Sequence, residues 1–206
     1  LIVHQLIQLT HMRYGLVCMA NQYDAMRMDT LALFESDTKL DDISYFLKGT
    51  PCQNVVDGNT CFYPDHIQEL FPEDYLLVNM DAQSYLGMPL YNSKGETIGI
   101  LAILDDKPMN IHPDTMDLIH SLAARASIEI ERKITQSQLS KLSLAVEHSP
   151  NAVMITNTDG MIEYINPKLS EVSGYSEQEA LGKKPDLFKS GETEPAVYKE
   201  LWDTIL

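Results

Sequence analysis

The chain has 206 residues, with 30 Asp and Glu against 15 Lys and Arg and a formal net charge of −15. It shows neither a basic patch nor an Arg-rich helix, which argues against a nucleic-acid surface or an anionic membrane as partner. No apolar run is long enough to span a bilayer, and Cys18, Cys52 and Cys61 lack metal-ligand spacing, so a reduced, cytoplasmic chain is expected.

Residues 1–12 read as the tail of a helix, with Leu6 and Leu9 as core contacts. Tyr14-Gly-Leu-Val-Cys-Met-Ala is a strand, and a turn near Tyr23 leads into a second strand from Arg27 to Glu35. Simple alternation places Met28, Thr30, Ala32 and Phe34 on one face of that strand and Leu31 and Leu33 on the other. A polar loop over residues 37–44 precedes Tyr45-Phe-Leu-Lys-Gly. Thr50-Pro-Cys-Gln53 has the spacing of a helix start, with Thr50 as cap, Pro51 in the first helical position and Gln53 closing a capping box. A short helix is expected between Pro64 and Pro72, and strands at Tyr75-Leu-Leu-Val and Ser84-Tyr-Leu-Gly-Met-Pro-Leu-Tyr91. After a turn at Asn92-Ser-Lys-Gly95, Thr97-Ile-Gly-Ile-Leu-Ala-Ile-Leu is the most hydrophobic strand and belongs at the centre of a sheet. Asp105 and Asp106 are expected to end it and face solvent.

Residues 112–148 form the longest helical pattern, with apolar residues at three- and four-residue intervals from Thr115 to Ile134 and no Gly, and with Pro113 near its start. Read as one helix it is about 50 Å long at 1.5 Å per residue; the alternative is two separate helices. Ile119, Ala123, Ala126, Ile130, Lys133 and Ser137 follow a loose heptad, the pattern of a helix that pairs with a second copy. From Ser149 a new unit begins: a hairpin over Asp159-Gly160, a helix capped by Asn166-Pro167 and stopped at Gly174, and a second capping box at Ser176-Glu-Gln-Glu179. A last helix carries Val197, Tyr198, Leu201, Trp202 and Ile205 on one side. The sequence opens and closes mid-pattern, so a chain cut from a longer protein is expected.

The first block resembles a GAF domain, a small-molecule sensing module of bacterial signalling proteins. The resemblance rests on Leu47-Lys-Gly-Thr-Pro-Cys-Gln-Asn-Val-Val56, Leu70-Phe-Pro-Glu-Asp74, Ser84-Tyr-Leu-Gly-Met-Pro-Leu90, Gly95-Glu-Thr-Ile-Gly-Ile-Leu-Ala-Ile-Leu-Asp105 and the closing helix with Ala123-Ala-Arg-Ala126. The segment from about residue 142 resembles the first half of a PAS domain, through Ile155-Thr-Asn-Thr-Asp-Gly160, Asn166-Pro167, Gly174-Tyr-Ser-Glu-Gln-Glu-Ala-Leu-Gly182 and Leu201-Trp202. The implied fold is α+β: a GAF-like antiparallel sheet with flanking helices over residues 1–134, a helical linker over 135–147, and an incomplete PAS-like α/β segment over 148–206.

The GAF resemblance implies a ligand site between the sheet and the middle segment, with Tyr45, Phe46, Thr50, Cys52, Tyr63, His66 and Tyr85 as candidate walls, each of which core packing or capping also explains. The Asn-Lys-Phe-Asp-Glu signature of cyclic-nucleotide-binding members is absent, and no cysteine is placed for a bilin. No cofactor is assigned. The PAS segment is similar to flavin-binding redox sensors through Lys184-Pro-Asp-Leu-Phe-Lys-Ser-Gly191, which implies flavin in a completed PAS domain, although Lys184 stands where those relatives commonly carry Asn. The function implied is non-catalytic: sensing a small ligand, forming a homodimer through the helix of residues 115–145, and relaying to an output domain such as a diguanylate cyclase, phosphodiesterase, histidine kinase or transcriptional activator. The alternatives are a purely structural dimerising GAF module and a methionine sulfoxide reductase using Cys52 or Cys61, with His66 as the base.

Overall fold

The structure is a computed structural model that describes residues 2–21, 23–189, 191, 194, 196, 197, 200 and 204. The chain divides into two units, Leu1–Thr135 and Gln136–Leu206. The first contains α1 (Ile2–Thr10), β1 (Tyr14–Ala20), β2 (Arg27–Glu35), β3 (Thr38–Lys39), β4 (Ser44–Phe46), α2 (Pro51–Val56), β5 (Cys61–Tyr63), α3 (Ile67–Leu70), α4 (Tyr75–Asn79), β6 (Ser84–Tyr91) and β7 (Thr97–Asp105). Helix α5 (Pro113–Glu147) runs through the division, and β8 (Met154–Thr156), β9 (Ile162–Ile165), α6 (Pro167–Ser173) and α7 (Glu177–Ala180) follow.

Among the described residues seven strands form one antiparallel sheet in the order β3-β2-β1-β7-β6-β5, with β4 also paired to β2. Strand β7 lies between β1 and β6, and every residue from Gly99 to Asp105 is buried, as its unbroken apolar run requires. The pleat sends alternate side chains to two cores. Ile100, Ala102 and Leu104 join Cys18, Tyr45, Cys52, Val55, Ile67, Leu77 and Tyr85 beneath the middle segment. Leu101 and Ile103 join Leu86, Met88 and Leu90 against α1 and α5. Helix α1 reaches the sheet closely because β1 has Gly15 there: a β-carbon on it would stand 2.8 Å from Ile7 Cγ1.

Strand β2 departs from simple alternation. Its register passes from Val17↔Ala32 to Cys18↔Thr30, leaving Leu31 as the extra residue of a β-bulge. Met28 and Leu33 therefore share the middle-segment core, while Leu31, Ala32 and Phe34 pack on the helix side. The segment expected as a strand at Tyr75 is helix α4, because the Asp74 carboxylate accepts the Leu76 N–H at 3.0 Å and caps the turn. The turn before α2 also differs from its expected box. Thr50 Oγ1 donates back to Leu47 O at 2.7 Å, and Gln53 Oε1 accepts from Gly49 N at 3.3 Å.

Helix α5 is unbroken over 35 residues, about 52 Å at 1.5 Å per residue. Its buried residues, Ile119, Leu122, Ala123, Ala126 and Ile130, belong to the core of the first unit. The heptad face expected to meet a second copy is thus spent on the unit's own sheet in this half of the helix. Further along, Leu139, Leu142 and Leu144 are exposed by 63%, 65% and 54%. In the second unit β8 and β9 pair antiparallel around Ile162 and Ile165. The Ser176–Glu179 capping box forms, and Glu179 Oε2 accepts from Ser176 N at 2.9 Å and from Ser176 Oγ at 2.6 Å. The final helix expected through Tyr198, Leu201, Trp202 and Ile205 lies outside the described residues.

Candidate functional site

The middle segment folds α2, α3 and α4 over the sheet, and beneath them lies a small cavity. Its walls include Thr30, Tyr45, Cys52, Asp74, Leu77 and Tyr85, and its volume is about 30 Å³. That is room for about one water molecule.

The polar side of this core is a chain of four groups. Tyr45 OH lies 3.3 Å from both Cys18 Sγ and Cys52 Sγ, and Tyr85 OH lies 3.3 Å from Cys52 Sγ. Each sulfur and phenol thus has a partner, which is how a core tolerates them. Burial pushes the Cys18 thiol and both phenols well above their ordinary pKa values and raises that of Cys52, so all four stay protonated at neutral pH. Gly87 makes room for Tyr85: a β-carbon there would collide with the phenol oxygen and stand 2.7 Å from two ring carbons. Asp74 adds a carboxylate that is 7% exposed. Burial raises its pKa, while the backbone N–H groups of Leu76 and Leu77 oppose that rise.

Of the seven residues expected at the site, Tyr45, Cys52 and Tyr85 come together at the cavity. Thr50 is buried beside them with its hydroxyl spent on Leu47 O. Tyr63 lies one layer away, its ring edge-on to Phe71 at 5.3 Å and its hydroxyl accepting from Asn54 Nδ2 at 3.0 Å. Phe46 and His66 are not cavity walls. Phe46 is 56% exposed on β4, with the Arg27 guanidinium 4.4 Å over its ring, because strand alternation turns it away from buried Tyr45. His66 is exposed in a left-handed turn before α3, with Nδ1 3.0 Å from Glu69 Oε1.

The reductase pairing is also absent. Cys52 hydrogen-bonds two phenols and no histidine, and Cys61 Sγ donates to Asn59 O at 3.6 Å. A buried thiol with a raised pKa and no base is a poor nucleophile. Among the described residues no group of three or more His, Cys, Asp or Glu is arranged to hold a metal ion.

Three further polar residues escaped the sequence reading. Cys18 joins the chain from β1, and Asp74 caps α4. Asp105, expected in solvent, is 2% exposed at the end of β7, and its Oδ2 accepts no hydrogen bond, with Lys107 Nζ at 3.7 Å. A signal for the site's charge was present: residues 49–93 hold no Lys or Arg but carry Asp57, Asp65, Glu69, Glu73, Asp74 and Asp81.

The family profile described as GAF domain matches residues 1–130. This chain belongs to the GAF domain family. A second profile, PAS fold, matches residues 140–205, so a GAF unit is followed by a PAS unit. The hybrid signal transduction histidine kinase F of Dictyostelium discoideum is 26% identical over 134 residues, 65% of this chain and 12% of that protein. The nitrogen fixation regulatory protein of Klebsiella pneumoniae is 32% identical over 73 residues, 35% of this chain and 15% of that protein. The chain therefore spans less than a sixth of either relative.

The GAF domain of a two-component sensor histidine kinase from Bacillus halodurans matches with a TM-score of 0.54 at 18% identity, covering 66% of this chain and 92% of that one. The blue-light absorbing form of the Thermosynechococcus elongatus PixJ GAF domain matches at 0.53 and 16%, covering 71% and 90%. At these identities the likeness speaks to fold. GAF and PAS units are sensory modules of signal-transduction proteins, and no helix among the described residues is long and apolar enough to cross a membrane.

Proposed function

We propose that this region is a non-catalytic sensory relay, in which the GAF unit takes a small ligand and α5 carries the effect to the PAS unit and on to an output domain elsewhere in the protein. The observation that supports this most is the single helix α5. It supplies Ile119, Leu122, Ala126 and Ile130 to the GAF core, and at its other end Val146 O accepts a hydrogen bond from Asn166 of the PAS unit. A ligand that biases the packing of one end has a continuous helix through which to act.

The chemistry of the cavity narrows the ligand class. Its walls are apolar, with two phenols, a thiol and a carboxylate and no cation, under a segment that carries six carboxylates. Such a site disfavours nucleotides, phosphates and other anions and suits a small neutral or cationic compound. At about 30 Å³ the cavity is closed to anything larger than water, so binding requires α2 and α4 to move outward. That same volume favours the second reading, a structural GAF module filled by its own side chains.

A homodimer belongs to the relay proposal, with Leu139 and Leu142 on the exposed part of α5 as its contacts. A thermal-shift screen of neutral, cationic and anionic small molecules, followed by hydrogen exchange, tests the proposal. The expected result is a neutral or cationic compound that raises Tm and slows exchange in α2 and α4. A screen in which only anions bind refutes the ligand class. A screen in which nothing binds leaves the structural module. An absorbance spectrum of the protein tests the expectation of flavin in the PAS unit.

A further inference from the structure

Asn166 is 0% exposed and uses the full hydrogen-bonding capacity of its side chain. Oδ1 accepts from Val153 N at 2.9 Å and from Leu169 N at 3.0 Å. Nδ2 donates to Val146 O at 3.1 Å and to Asn151 O at 2.9 Å. The backbone N–H of Asn166 adds a bond to Val153 O at 3.0 Å. One planar amide therefore touches three segments: the last turn of α5, the approach to β8, and the first turn of α6.

The two ends of the amide do different work. The oxygen caps α6, a task Asp or Ser would perform equally well. The nitrogen holds Val146 O at the end of α5, beyond the regular helical bonding pattern, where its only other partner among the described residues is the Ser149 N–H at 3.2 Å. Neither Asp nor Ser can donate both of those bonds, and Gln is one carbon too long for the same seat.

We propose that Asn166 is a positioning residue that clamps the end of α5 to the PAS unit and passes movement of that helix to α6. The inference rests on the relay reading of α5. If the last turn of α5 rotates or draws back, Nδ2 must either follow Val146 or stay behind as a buried donor without a partner, which is costly. If it follows, the rigid amide carries Oδ1 away from Leu169 N and Val153 N. The cap of α6 and the start of β8 loosen together.

Asn166→Asp and Asn166→Ser in the full chain test this by site-resolved hydrogen exchange. Both variants keep an oxygen for the cap, and both lose the pair of donors. The expected result is exchange in residues 140–148 that is roughly tenfold faster than in the unaltered chain, with α6 amides still protected and the GAF sheet unchanged. Unchanged exchange at the end of α5 in Asn166→Ser overturns the proposal. So does loss of α6 protection in step with α5 in both variants, which would make Asn166 a folding residue and not a clamp. If Asn166→Asp alone loses α6, through its added charge, Asn166→Ser decides. The measurement needs no ligand, so a failed ligand screen leaves the clamp standing, and a failed clamp leaves the GAF site to be screened.

Discussion

Gly87→Ala places one methyl group where Tyr85 lies. The new β-carbon would stand 2.7 Å from two ring carbons, closer than such atoms approach in real structures, and Tyr85 is 1% exposed with only the cavity of about 30 Å³ beside it. Overpacking of this kind costs about 1–3 kcal/mol. Displacing the phenol also breaks its contact with Cys52 Sγ, about 0.5–1.5 kcal/mol more. Replacing a strand glycine returns about 0.5–1 kcal/mol. The net loss is roughly 1–3 kcal/mol, read as a lower denaturation midpoint at unchanged slope and as faster exchange of β6 and β7 amides. Tyr85→Leu removes the obstacle, so Gly87→Ala in that background should cost at least about 1 kcal/mol less than in the original chain. A cost within about 0.5 kcal/mol of zero, or strict additivity of the two substitutions, would refute this account of the core.

Asp105 gives a pH prediction with a definite sign. Burial holds its pKa above the usual 3.8, with the Lys107 ammonium opposing. The folded state therefore binds this proton more tightly than the unfolded chain, and the group's contribution to stability falls as pH rises through the raised value. Asp105→Asn should be more stable than the original chain at about pH 7, with an advantage that shrinks toward about pH 4; an advantage that grows in acid refutes it. Native protein should react only slowly with a thiol reagent at Cys18, Cys52 and Cys61, all buried with raised pKa values, and all three should label on unfolding. Rapid labelling of Cys52 in the native state would revive it as a nucleophile. Leu139→Glu with Leu142→Glu should shift sedimentation from dimer to monomer without lowering GAF stability, since both side chains are exposed. An unchanged mass would remove this part of α5 from any dimer interface.

The sequence made legible what depends on local pattern. An apolar run bounded by a turn and two aspartates placed β7 at the sheet centre, and the periodicity from Thr115 to Ile134 predicted the first part of α5, while the more polar stretch beyond suited one helix or two. What it missed depends on neighbours distant in the chain. Tyr75-Leu-Leu-Val is too short for periodicity to separate helix from strand, and the deciding group was the Asp74 cap. The bulge at Leu31 arises from pairing with Val17 and Cys18, so alternation within β2 alone assigned half its residues to the wrong face. Asp105 looked like a solvent-facing strand end because carboxylates usually are; its burial could not be read before the sheet set it beside Ser84 of β6. At the candidate site, Tyr45, Cys52 and Tyr85 were named together, whereas Cys18 lay on a strand whose facing could not be read until the sheet was built.

The small volume under α2 and α4 also bears on how fast a guest could arrive. With space for about one water, the closed form offers no encounter surface to a larger compound, so each entry waits for the middle segment to lift. The observed association rate would then level off as concentration rises, at a plateau equal to the opening rate and the same for every compound that fits. Chemically different guests would differ chiefly in how long they stay. A receptor built this way reports occupancy slowly and filters out brief fluctuations in supply.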